Sequence, residues 1–114
     1  MPRNDLDAGD LVWVALNPVR GREQAGRRPA VVITTATYHR VSALALVCPI
    51  TSNLRPWPFK VLLPGNLKIK GAILVDQMRA IDRAERIFGR AGRVPDGTLK
   101  TVRSVLVAMI RPEE

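Results

Sequence analysis

The chain has 114 residues, 46% hydrophobic but only 4% aromatic, and 18 Lys and Arg against 10 Asp and Glu give a formal net charge of +8. That length predicts one domain with one modest core, read here as 1–114. A single cysteine, Cys48, and a single histidine, His39, exclude an intramolecular disulfide, a cysteine-based zinc cluster and any metal or nuclease site built on paired histidines.

Residues 1–9 lack the apolar run of a signal peptide, and no stretch approaches the roughly 20 uninterrupted apolar residues of a membrane helix, so a cytoplasmic chain without membrane contact is expected. Asp10 to Leu16 is apolar on both alternating faces and predicts a buried strand with Trp13 in the core. Asn17 to Arg28 is polar, carries two Gly and four Arg, and ends at Pro29, which predicts a long exposed loop. Pro29 to Thr35 and Ser42 to Thr51 are apolar or β-branched runs that predict neighbouring strands, with a helical turn or wide hairpin over Ala36 to Val41. Phe59 to Leu63 and Ala72 to Asp76 are further strands, and Gln77 to Arg86 is either a strand crossing a corner or a helical turn. Pro95 and Asp96 start a helix of about four turns of roughly 3.6 residues each, because Leu99, Val102, Val105, Leu106, Met109 and Ile110 recur at spacings of three and four. The order predicts a mainly β fold with a C-terminal helix, a strongly bent sheet or partly open barrel. Exposed strand edges in so small a unit favour dimerisation.

Fourteen of the eighteen cations are Arg, whose planar fork of donors suits phosphate, so a polyanionic partner is expected. The densest stretch, GREQAGRRP, holds Arg22, Gln24, Arg27 and Arg28 around one acid, Glu23. Among cations Glu23 stays ionised and able to accept a proton; alternatively it pairs with Arg28 or Arg22 to hold the loop. Thr51, Ser52 and Asn53 end an apolar run, where hydroxyl and amide groups can bond a phosphate oxygen or a base edge, or simply form a turn. Asp76, Gln77 and Arg79, with Arg83 and Arg86 beyond, offer an amide for reading bases and guanidiniums for backbone phosphates; Asp76 alternatively caps a turn. Trp57, Phe59 and Tyr38 can stack on unpaired bases. Cys48, inside an apolar run, reads as an inert packed thiol, and His39, as a lone histidine, as a surface residue.

Five blocks in this order, GDLVWVALNP, GREQAGRRPAVVI, VCPITSN, PFKVLLP and GAILVDQMRAID, resemble the MazF/PemK toxins over nearly the whole chain. The resemblance implies an SH3-like barrel with a terminal helix, a homodimer, sequence-selective cleavage of single-stranded RNA without metal or other cofactor, and an acidic antitoxin as partner. By position, it gives Arg28 and Thr51 roles at the scissile phosphate and makes Glu23 a candidate base. PemK-like members assign a catalytic Arg two residues before the Asp of the DQ motif. Here that position is Leu74, so the arrangement of Glu23, Arg28 and Thr51 is favoured and Asp76 is left to shape the site. The alternative of another class is a non-catalytic toxin resembling CcdB, which shares the fold type and binds a topoisomerase subunit.

Overall fold

The computed structural model describes residues 5–16 and 27–113. Its elements run β1 (Asp10–Ala15), β2 (Arg27–Val32), α1 (Ala36–His39), β3 (Leu44–Thr51), β4 (Lys60–Leu62), β5 (Ala72–Leu74), a single 3-10 turn (Val75–Gln77), β6 (Arg79–Asp82), α2 (Arg83–Arg86), β7 (Ile87–Arg93) and α3 (Asp96–Ile110). Seven strands join one sheet, six in the order β4-β5-β3-β2-β1-β7 and β6 off that path against β3, and every pairing is antiparallel. The outer edge of β3 is shared. Leu44 to Val47 pair with β6, and Ile50 and Thr51 pair with β5. The sheet does not close on itself, which agrees with the partly open barrel expected.

Alternation along the strands sends side chains into two buried clusters, one on each face. Leu11, Val31, Cys48, Ile50, Ile73 and Val75 pack with Val94 and with Leu99 and Val102 of α3. Val12, Val14, Leu16, Ala30, Val32, Ala45, Val47 and Ile81 form the other cluster, flanked by Leu6 and Ile87. This explains why β1 to β3 read as nearly continuous apolar runs, since each face of the sheet carries a buried cluster. Each fully buried Val, Leu or Ile contributes about 1.5–3 kcal/mol, so the two clusters dominate what holds the sheet together. The helix begins after an extended Pro95, with Asp96 in its positively polarised first turn. Its far end leaves Val107, Met109 and Ile110 exposed.

Four expectations change. Arg27 and Arg28 belong to β2 rather than to a loop, because Ala15 and Val14 extend the β1 edge far enough to pair with them. Trp13 is 42% exposed rather than buried; its neighbour across the β1–β7 ladder is Gly89, which has no side chain to cover it. The last strand, β7, was not foreseen. Ala72 to Asp76 is a strand only as far as Leu74, with Asp76 on the 3-10 turn. No described helix is long and apolar enough to cross a membrane.

Candidate functional site

The β2–β3 ladder pairs Ala30 with Pro49. Continuing that antiparallel register by two residues sets Arg28 across from Thr51 at one end of the sheet. Alternation places both on the face that carries Ala30, Val32, Ala45 and Val47. Arg79 is on the same face, since it pairs with Val47 and lies two residues before Ile81. Backbone alternation on three neighbouring strands thus sets Arg28, Thr51 and Arg79 on one face of the sheet, although the three residues are far apart in sequence.

More cations gather where β1 ends and β2 begins. Arg79 donates through Nη1 to the Leu16 carbonyl at 3.2 Å, and Arg86 through Nη1 to the Ala15 carbonyl at 3.4 Å. The Arg27 guanidinium lies 4.3 Å from the centre of the Phe88 ring, a cation–π contact that fixes its direction without neutralising it. Arg28 is half-buried. Arg27, Arg28 and Arg79 are strand residues held in place by backbone pairing.

Thr51 is 5% exposed, more enclosed than the open strand end expected for it. Its Oγ1 accepts a hydrogen bond from Asn53 N at 3.1 Å, which leaves the hydroxyl proton to donate. Its backbone is fixed from below by Gly71, whose φ of +133° is a conformation side chains rarely adopt, and a Cβ there would stand 2.2 Å from the Thr51 carbonyl oxygen. Sequence reasoning missed Gly71 as a positioning residue, and a lone glycine immediately before an apolar run was the only signal. Asn53 Oδ1 accepts from Arg55 N at 2.9 Å, so its side chain makes the turn that was one of the two readings for it. Ser52 is exposed at the same corner.

Asp76 and Gln77 follow β5 on the 3-10 turn. Asp76 is exposed, and Oδ2 accepts a bond from Trp57 Nε1 at 3.0 Å. Arg22, Glu23 and Gln24 lie outside the described residues. Arg83 is spent inside the fold, donating to the carbonyls of His39 at 2.8 Å and Ser42 at 2.5 Å. His39, expected at the surface, is buried, with Nδ1 2.7 Å from the Leu6 carbonyl and Nε2 2.6 Å from Thr34 Oγ1. Both ring nitrogens tie α1 to neighbouring chain. Cys48 is fully buried, and burial, with the Asp76 charge as a lesser cause, pushes its thiol up to about 12. It is the inert thiol expected. Among the described residues no three His, Cys, Asp or Glu side chains gather in a set that could hold a metal ion.

The same order of strands and closing helix recurs in known proteins. The MazF crystal structure (Form-I) from Deinococcus radiodurans superposes with a TM-score of 0.85 at 36% identity, covering 95% of this chain and 98% of that one. The MazE–MazF crystal structure (Form-II) from the same organism gives 0.80 at 32% identity, covering 97% of this chain and all of that chain (100%). In sequence, the chain is 35% identical over 104 residues to the endoribonuclease toxin MazF of Escherichia coli (strain K12), spanning 91% of this chain and 93% of that protein. Residues 7–110 match the family model of the PemK-like, MazF-like toxins of type II toxin-antitoxin systems, and the chain belongs to that family.

Proposed function

We propose that this chain is the toxin of a type II toxin-antitoxin pair, a cytoplasmic endoribonuclease that cuts single-stranded RNA at selected sequences without a metal ion. The observation that supports the proposal is that Arg28, Thr51 and Arg79 share one face of the sheet, with the Arg79 and Arg86 guanidiniums anchored at the end of β1, where β1 pairs with the start of β2. In-line attack by the ribose 2′-hydroxyl on its neighbouring phosphorus needs a base at the hydroxyl, stabilisation of the dianionic phosphorane and a proton for the departing 5′-oxygen.

Arg28 faces the phosphorane and carries the electrostatic part. A guanidinium does not readily release a proton near neutral pH, so charge stabilisation is its main role. Thr51 donates its free hydroxyl proton to a non-bridging oxygen. Glu23 is the candidate base. Arg22, Gln24, Arg27, Arg79 and Arg86 hold flanking phosphates, while Ser52, Asn53, Trp57, Asp76 and Gln77 form the surface over which the bases run. The products carry a 2′,3′-cyclic phosphate and a 5′-hydroxyl. The E. coli relative is named an endoribonuclease toxin, and the D. radiodurans MazF is also known in a MazE–MazF structure, which supports an antitoxin partner for this chain. With a net charge of +8 that partner is acidic, and the working form is a homodimer.

The test is incubation of the purified chain with a long unstructured RNA in excess EDTA, beside an Arg28→Ala control, with the 5′ ends of the fragments mapped. Discrete cuts bearing 5′-hydroxyls and lost in the control are expected. A folded, antitoxin-free chain that leaves varied RNA intact would overturn the proposal.

A further inference from the structure

The loop between β3 and β4 has no regular structure, yet side chains and backbone pin it at both ends and in the middle. Lys60 Nζ donates to the carbonyls of Asn53 at 2.8 Å and Arg55 at 2.9 Å, and Lys60 N donates to the Trp57 carbonyl at 3.1 Å. Asn53 Oδ1 holds Arg55 N. Pro56 and Pro58 flank Trp57 and fix φ on either side of it. The indole is held twice more, by its N–H on Asp76 Oδ2 and by an edge-on contact with Phe59, ring centres 5.6 Å apart. The same two stretches of chain are also joined by Val75 N donating to the Phe59 carbonyl at 3.0 Å.

All this ordering serves a ring that is still 49% exposed. A large aromatic held rigid but left half open gains nothing for the core, whereas a stacked partner would find its entropy cost already met. The ring borders an open groove of about 500 Å³ lined by Leu54, Pro56, Trp57, Pro58, Leu62 and the exposed Arg55. The first lining residue of the groove, Leu54, comes three residues after Thr51. Its position, the cation at its rim and the +8 charge favour one occupant, an unpaired nucleobase of an RNA whose phosphate lies at Thr51.

We infer that Trp57 is a preorganised stacking platform for one base beside the scissile phosphate, and that Asp76 is the positioning residue that orients the indole through its N–H rather than a proton acceptor in the reaction. The inference rests on the nuclease reading above and adds to it the residue that selects the base. Stacking discriminates bases by the strength of their π-overlap, so the platform biases the cutting motif toward the better-stacking bases at one position.

The experiment uses the full chain carrying Trp13→Phe, so that Trp57 is the sole indole, titrated with a random-sequence pool of single-stranded 2′-O-methyl RNA while emission and anisotropy are followed. Saturable quenching of Trp57 is expected. Trp57→Ala weakens RNA binding and raises KM by about 5- to 150-fold. Trp57→Phe, which keeps a ring but loses the Asp76 bond, falls between. Asp76→Ala raises KM, and Asp76→Asn restores most of the loss, since an amide oxygen still accepts the indole N–H. Absence of quenching, or an unchanged KM and cutting motif in Trp57→Ala, overturns the platform while cleavage by the parent chain leaves the nuclease reading standing. Loss of kcat at constant KM in Asp76→Asn overturns the positioning role and makes Asp76 the proton acceptor. RNA binding and quenching with no cutting by the parent chain sinks the nuclease reading and keeps the platform. Protection of Trp57 only by an acidic protein partner, with RNA without effect, overturns the inference.

Discussion

The sheet face that carries Arg28, Thr51 and Arg79 leads at Thr51 into the loop from Asn53 to Lys60, yet the two are held by different means. The first is fixed by backbone ladders whose neighbours are two buried clusters, so its side chains are placed by the fold itself. The second is fixed by a handful of side-chain bonds over a stretch with no ladder at all. On the reading proposed above, chemistry that must be the same at every turnover falls to the part that cannot shift without unfolding, and selection among RNAs to the part where one or two substitutions can re-aim a ring without touching the core.

The largest effect should come from the substrate side of this division. Replacing the ribose at a mapped cleavage site by 2′-deoxyribose removes the internal nucleophile, and cutting at that site should vanish in a gel assay; persistent cutting would move the chemistry away from 2′-hydroxyl attack. Next, Arg28→Ala should lower kcat by about 10²–10³ while the thermal midpoint stays close to that of the parent, as expected for a donor to a developing oxyanion. Thr51→Val should lower kcat by about 10-fold or somewhat more, the range for one hydrogen bond to a charged group. Lys60→Met releases the two loop carbonyls and should raise KM a few-fold with a broadened cutting motif and little change in kcat. An effect of Lys60→Met on kcat alone would erase the distinction between the two regions.

The smallest effect is expected beneath both. Cys48 Sγ lies 3.9 Å from the Val75 carbonyl, between β3 and the turn that carries Asp76. With its thiol held up at about 12 against 9.0 in the open chain, alkylating reagents should leave the native protein unmodified at pH 8 and label it fully in denaturant. The linkage follows the same sign. Below pH 9 both states keep the proton, and between about 9 and 12 the unfolded chain loses it first, so this group's contribution to stability is full below 9 and declines through that window.

Much of the fold was legible because it rests on side-chain pattern. Leu11, Val12 and Val14, the β-branched run into Val32, and the three-and-four spacing of Leu99, Val102, Val105 and Leu106 each announce an element and the face it buries. The seventh strand carries no such pattern. Ile87 to Arg93 is mostly exposed, contains Gly89 and Gly92, and is held by backbone pairing to β1 across two register shifts, which a side-chain reading cannot detect. Trp13 was misjudged for a related reason, since the sequence does not reveal that a glycine lies opposite. At the candidate site, the residue types were visible in VCPITSN and DQM. The bond from Trp57 to Asp76, by contrast, spans 19 positions and follows from the pairing of β4 with β5, whose register runs on to set Pro58 opposite Asp76. Glu23 remains a proposal from the resemblance, outside the described residues.

The close approach of Gly71 to the Thr51 carbonyl has a consequence for how such a chain would be lost. Any missense change at a glycine codon inserts a side chain, and here there is no room for one, at a cost of at least about 2 kcal/mol in strain and displaced strand. For a member of a toxin family, cells that survive its unopposed expression are under strong selection for single-step inactivation. Survivors should therefore accumulate substitutions at position 71 alongside those at Arg28, identifying by genetics a residue that never touches the RNA.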